Sequence, residues 1–97
     1  MGKEAAGFLI GYTEGEVFKR WVAGVNPEYR GRGVFHSLHD YCEKWAKERD
    51  LVKIKSDVAL RRRRMVEINR DLGYQVVDFE YGEDLPNSRL FFEKYLK

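Results

Sequence analysis

The sequence predicts a mixed α/β fold: one sheet with helices between its strands, in the order β-β-α-β-α-β-β. Three observations carry this. Short runs rich in β-branched and aromatic residues recur along the chain. Two intervening segments carry apolar residues at helical rather than alternating spacing. Glycine, Asn-Pro and Glu-Gly signals separate the pieces.

The elements follow in order. Ala5 to Thr13 reads as a strand, Glu14-Gly15 as a tight turn, and Glu16 to Val25 as the second strand of a hairpin. Strict alternation in that second strand puts Val17, Lys19, Trp21, Ala23 and Val25 on one face, opposite Phe18, Arg20, Val22 and Gly24. Asn26-Pro27 ends it, and a glycine-rich stretch, Arg30 to Gly33, follows. Val34, Phe35, Leu38, Tyr41, Cys42, Trp45 and Ala46 then form one apolar stripe, a helix running to about Arg49. Leu51 to Ser56 is a short strand. A second helix spans about Leu60 to Leu72, with Met65, Ile68 and Leu72 on one face and Gly73 placed to end it. Tyr74 to Tyr81 is a strand, Gly82 to Asn87 a loop, and Arg89 to Leu96 the last strand.

Composition narrows the function classes. The chain has 97 residues, 43% hydrophobic and 35% charged, the balance of a single globular domain spanning residues 1–97. A domain of this size buries about 60–70% of its unfolded surface, so its core is small. No apolar run reaches a membrane span, and Met1-Gly2-Lys3-Glu4 opens no signal peptide. One cysteine, Cys42, excludes an internal disulfide framework, and with only His36 and His39 beside it argues against a structural zinc site. A reducing compartment, the cytoplasm, is expected. Arg61-Arg62-Arg63-Arg64 supplies +4 of the net +2, leaving the rest of the chain at −2. A nucleic-acid binder spreads positive charge over a face, so the excess here is local and nucleic acid is not the expected partner.

The informative junction is strand, glycine turn, helix, from Val25 through Asn-Pro-Glu-Tyr-Arg-Gly-Arg-Gly33 into Val34-Phe35. Gly31 and Gly33 let backbone approach a ligand, the helix start offers free N–H groups, and Arg30 and Arg32 add cationic donors. That is a phosphate cradle; a glycine turn that merely reverses the chain is its bland counterpart. The dinucleotide fingerprint fails, because His36 stands at its third glycine, and the nucleotide P-loop fails for want of Gly-Lys-Ser/Thr.

This segment resembles the acyl-CoA-binding motif of the GNAT family of N-acetyltransferases, Arg/Gln-x-x-Gly-x-Gly/Ala, which Arg30 and Gly33 match. A second segment, Met65-Val-Glu-Ile-Asn-Arg-Asp-Leu-Gly-Tyr74, is similar to that family's later helix and its Leu-Gly-Phe/Tyr turn. The resemblance covers roughly Ala5 to Tyr81. Phe35 stands where the motif prefers Gly or Ala, Asn69 where many members carry a tyrosine acid, and Arg62 where an asparagine is frequent.

The resemblance implies a shortened acyl-CoA N-acyltransferase fold that lacks the usual first strand and two helices. It implies acetyl-CoA as acyl donor, with the pyrophosphate on the backbone amides of Arg30, Gly31, Arg32, Gly33, Val34 and Phe35. The strand end near Val25 would splay from the strand at Leu51–Ser56 and pair with the pantetheine arm. An amine would attack the thioester directly. No metal is implied, and no residue is assigned as catalytic acid or base. Because the missing helices normally wall the acceptor pocket, a homodimer or larger assembly is expected, burying Phe8, Phe18, Trp21, Phe91, Phe92 and Tyr95 beyond what two short helices cover. The alternative is a catalytically silent binding subunit or basic-patch adaptor.

Other residues read more plainly. His36 and His39 are i, i+3 on a helix, but no carboxylate or thiolate pairs with both, which favours packing or solvent. Cys42 lies on the apolar stripe as a small hydrophobe. Glu14 and Glu16 could relay a proton through water or simply be a solvated hairpin pair. Tyr12 and Tyr74 could serve as acids or as packing with a wet hydroxyl. The arginine tetrad opposes the dipole of the helix it opens. Its readings are a solvated end balanced by Asp57 or Glu67, an intersubunit contact, or a site for an acidic partner, a CoA phosphate or nucleic acid.

Overall fold

A computed structural model describes residues 7–96. Strands β1 (Gly7–Glu14) and β2 (Val17–Val25) form the hairpin, and helix α1 (Val34–Glu48) leads to β3 (Lys53–Ala59). Helix α2 (Arg63–Asp71) leads to β4 (Gln75–Glu80) and β5 (Arg89–Tyr95). The element order matches the expected one, with short 3₁₀ turns added at Pro27–Tyr29 and Leu85–Asn87. Ala5 and Ala6, expected to open the first strand, lie outside the described residues.

The sheet runs β1-β2-β3-β5-β4. Three of its pairings are antiparallel, and β2 with β3 is parallel. That parallel pairing is short: Val17, Lys19 and the residue between them face Lys53–Lys55, and there it stops. From Arg20 to Val25, β2 has no β3 partner, so the two strands diverge toward the C-terminal end of the sheet.

A bulge sits at the point of divergence. Ile10 faces Val22 and Gly11 faces Arg20, so Trp21 is the extra residue. This corrects the alternation expected for β2. Phe18 and Arg20 share the helix-facing side with Ala23 and Val25, whose partner Gly7 lies against Val34 and Leu38 of α1. A bulge adds twist, which helps carry β2 away from β3.

The core lies between the sheet and both helices, from Phe18, Ala46, Leu51, Ile54, Val58, Tyr74, Phe92 and Leu96. Leu51, expected in the third strand, precedes it and anchors the core, and the strand runs three residues past Ser56. Tyr41, expected on the buried stripe of α1, is 71% exposed, and its place inside is taken by His39. Phe18 and Phe92 need no second chain to cover them. Phe8, Ile10, Tyr12, Trp21, Val22 and Tyr95 are exposed large hydrophobic residues. No helix among the described residues is long and apolar enough to cross a membrane.

Candidate active site

The divergence of β2 from β3 opens a cleft of about 1220 Å³, bounded by the end of β2, the turn 26–33 and the starts of α1 and α2. Of the seven residues singled out in sequence, Val25, Arg30, Gly31, Gly33, Val34 and Phe35 line it. Arg32 does not; its guanidinium lies over the Tyr29 ring, 5.5 Å from the centroid. Arg30 is tied back by Nε donating to the Val25 carbonyl at 3.3 Å.

The turn is shaped by its glycines. Gly31 (φ 80°) and Gly33 (φ 76°) hold left-handed backbone that side chains disfavour. Gly33 caps α1 through its carbonyl, which accepts from Ser37 N at 3.0 Å, and no side chain caps the helix. The first-turn N–H groups of a 15-residue helix therefore remain free at the cleft.

The arginine tetrad reaches the same place. Arg61, Arg62, Arg63 and Arg64 all line the cleft opposite the glycine turn. The tetrad and the turn are about 30 residues apart in sequence; the fold joins them because β3 returns the chain beside β2. Of the carboxylates expected to balance the tetrad, Asp57 pairs with Arg89 at 2.5 Å, and Glu67 reaches Arg64 at 3.9 Å. Among the described residues that line the cleft there are five arginines and no Asp or Glu. Such a site favours a ligand carrying several negative charges.

Behind the cleft, between the sheet and both helices, lies a buried polar cluster that the sequence did not reveal. Arg20 is 7% exposed, and His39 and Asn69 are wholly buried. Arg20 Nη2 donates to Asn69 Oδ1 at 2.8 Å, and its guanidinium packs over Phe35 and Tyr74 at 5.2 and 5.3 Å from their ring centroids. His39 Nε2 and the Tyr74 hydroxyl share a 2.6 Å hydrogen bond. Burial, reinforced by the neighbouring Arg20 charge, pushes His39 down to about 4, so the ring is neutral at pH 7. Burial likewise pushes the Tyr74 phenol up to about 12. The only advance signal was that Arg20 shares its strand face with Phe18.

The remaining candidates fall outside this cluster. Cys42 is half-buried, and burial raises its thiol above the ordinary value, the opposite of an activated nucleophile. His36 lines the cleft, whereas His39 is buried, so the two histidines do not converge on one ligand. Among the described residues no group of three His, Cys, Asp or Glu side chains is placed to hold a metal. Glu14 and Glu16 are exposed at the hairpin, Glu14 3.9 Å from Lys19.

A second cavity, about 380 Å³, opens on the sheet face away from the helices. Tyr12, Trp21 and Phe91 give it aromatic walls, and Lys19, Lys55, Asp57, Asp78 and Glu93 give it charge. Arg20 lines it too, while Phe35 and Met65, which Arg20 touches, line the first cleft. Arg20 thus lines the second cavity and, without lining the first cleft, packs against two residues that do.

Comparison with known proteins bears on the fold that holds this cleft. The model of the Acetyltransferase (GNAT) family matches residues 2–74. No curated protein matches the sequence. The ribosomal-protein-S18-alanine N-acetyltransferase of Escherichia coli superposes with a TM-score of 0.85 at 14% identity, over 94% of this chain and 61% of its own. Ard1 of Thermoplasma volcanium gives 0.83 at 15%, over 93% and 62%. The IAA acetyltransferase of Bacillus cereus ATCC 14579 gives 0.86 at 10%, over 98% and 73%. At such identities the likeness is one of fold, a mixed α/β acyl-CoA N-acyltransferase sheet. The chain spans about 60% of the length of the first two.

Proposed function

This chain belongs to the GNAT acetyltransferase family, and from that premise we propose that it transfers an acetyl group from acetyl-CoA to an amine by direct attack, in the cytoplasm. The observation that carries the reading is the cleft at the diverging end of β2, which five arginines and, among the described residues, no carboxylate line. CoA combines a pyrophosphate, a 3′-phosphate and an amide-bearing arm, and the cleft offers a counterpart to each.

The backbone amides of Arg30, Gly31, Arg32, Gly33, Val34 and Phe35 hold the pyrophosphate, helped by the positive end of α1. Arg61–Arg64 face the 3′-phosphate, and that anion offsets the charge the tetrad places on the wrong end of α2. The backbone of β2 up to Val25, unpaired on its β3 side, hydrogen-bonds the pantetheine amides as a neighbouring strand would. Held this way, the thioester lies beside Arg20, and the amine comes from the second cavity. Orientation of the two reactants supplies much of the acceleration.

Residues 1–97 act as one domain, and the assembly is a homodimer or larger. The exposed side chains of Phe8, Ile10, Tyr12, Trp21 and Val22 lie on or beside the sheet face away from the helices, and a second copy there would bury them and help wall the second cavity. Sedimentation is expected to give at least twice 11.5 kDa at micromolar concentration; the monomer mass would overturn the dimer.

Thiol release from acetyl-CoA in the presence of a panel of amines tests the activity. Amine-dependent release that disappears in an Arg61–Arg64 alanine variant supports the reading. Tight acetyl-CoA binding with no amine-dependent release from any acceptor would replace it with a silent CoA-binding subunit.

A further inference from the structure

Arg20 is the first residue of β2 beyond its last β3 partner, Lys19. Its guanidinium is buried, yet among the described residues no carboxylate forms an ion pair with it. Nη2 meets Asn69 Oδ1 at 2.8 Å and Met65 Sδ at 3.8 Å, but Nη1 is buried with no hydrogen-bond partner. Asn69 Nδ2 beside it is also buried and unpartnered. The groups around Arg20 are Phe35, His39 and Cys42 from α1, Met65 and Asn69 from α2, Tyr74, and Arg62. None of them is an anion at neutral pH.

A buried cation that has two aromatic rings and one amide oxygen for partners, but no anion, and whose Nη1 is left without a hydrogen-bond acceptor, is expensive. The arrangement makes sense if an anion appears there. Arg20 lines the second cavity and packs against Phe35 and Met65, which line the arginine-lined cleft. On the acyl-CoA reading above, the thioester would lie beside this position, and negative charge would develop there.

We propose that Arg20 stabilises the negative charge that moves onto the thioester during transfer, first on its carbonyl oxygen and then on the departing sulfur, with Asn69 as the positioning residue that fixes the guanidinium. This rests on the acyl-CoA reading above. The amine nitrogen forms the new C–N bond, the C–S bond breaks with its electron pair on sulfur, and the extra amine proton leaves to water through the second cavity. No acid is needed, because the thiolate departs as an anion against a guanidinium that stays charged. Tyr74, pushed up to about 12 and hydrogen-bonded to His39, is a poor donor at neutral pH. The donors are built in before reaction, which is the condition under which such stabilisation is strongest.

The test uses CoA labelled with carbon-13 at the carbon bonded to sulfur, whose chemical shift reports thiol ionisation in the complex. Bound to the wild-type protein, the thiol is expected to ionise at least about one pH unit below free CoA. Arg20→Met returns it to the free value, and Arg20→Lys keeps part of the shift. In turnover, Arg20→Met lowers kcat about 100-fold with KM for acetyl-CoA little changed, and Asn69→Ala gives a smaller loss of the same kind. The wild-type measurement decides even if a variant fails to fold. A bound thiol that titrates like free CoA overturns the role of Arg20 while leaving the acyl-CoA reading intact; no binding of CoA to the wild-type protein overturns both.

Discussion

At its start, β2 is knitted into the sheet: Val17 and Lys19 pair with β3, Val52 N donates to Glu16 O at 2.6 Å, and Leu96 N donates to Val52 O at 2.9 Å. Phe18 enters the core there, with Ile54 and Phe92 1–2% exposed beside it. At its far end, Arg20 to Val25 lacks that partner strand, a charged side chain replaces the apolar one, and arginines line the opening. One strand thus has an end that stabilises and an end that leaves backbone and charge unspent. Substitutions should separate the two: stability lost at the closed end, ligand or turnover lost at the open end.

The largest stability effect is expected at the closed end. Phe92→Ala should cost about 4 kcal/mol, measured by denaturant unfolding. Against a total of about 5–15 kcal/mol for a domain, that leaves the fold marginal. A loss under about 1 kcal/mol would mean that the core does not sit where described.

Second in size is a pH effect from the buried cluster. His39 is held neutral in the fold, at about 4 against an ordinary 6.5. Between those values the unfolded chain binds the extra proton, so stability falls as pH drops from 6.5 toward 4, and the effect is complete below the folded value. The span corresponds to about 3 kcal/mol. His39→Gln should flatten this part of the stability profile, and an unchanged slope would show that another group sets it.

Third, Gly33→Val should cost about 1–2 kcal/mol, because a β-branched residue resists φ 76°. No atom lies within 4 Å of the added Cβ, so the cost is backbone strain rather than collision. Acetyl-CoA binding should be lost beyond what that strain explains. Unchanged calorimetric affinity would remove the glycine turn from the site.

The smallest stability effect is expected where the functional one is large. Arg20→Met should change the melting temperature little, because relief of a buried charge without an anion offsets the loss of the donor to buried Asn69 Oδ1. A loss of several kcal/mol would make Arg20 a structural residue and erase the contrast between the two ends.

Much of this architecture was legible in the residues. Apolar stripes located both helices, and Gly73 does close α2 in left-handed backbone at φ 93°. The Arg30–Gly33 turn announced itself by composition. What escaped reading depended on tertiary partners. The bulge at Trp21 inverts the expected faces of the distal strand, and nothing in the local sequence marks it, because it arises from pairing with β1. Arg20 shares a strand face with Phe18, His39 admits packing or solvent, and Asn69 aligns with a tyrosine position of the family, but none of these marks a joint cluster; their burial follows from the helices that close over them. Tyr41 erred the other way, an aromatic on the apolar stripe that faces solvent. A CoA phosphate is one reading of the tetrad among several, and its distance along the chain hides the place beside the glycine turn that favours it.

Calorimetric titration of acetyl-CoA into the wild-type protein, at low and at raised salt, tests the open end of β2 most directly. Saturable one-site binding is expected, weakened by salt as phosphate–arginine contacts require and lost when Arg61–Arg64 are replaced by alanine. Absence of binding at either salt concentration, or binding indifferent to the four arginines, would contradict the assignment of this cleft to an acyl-CoA.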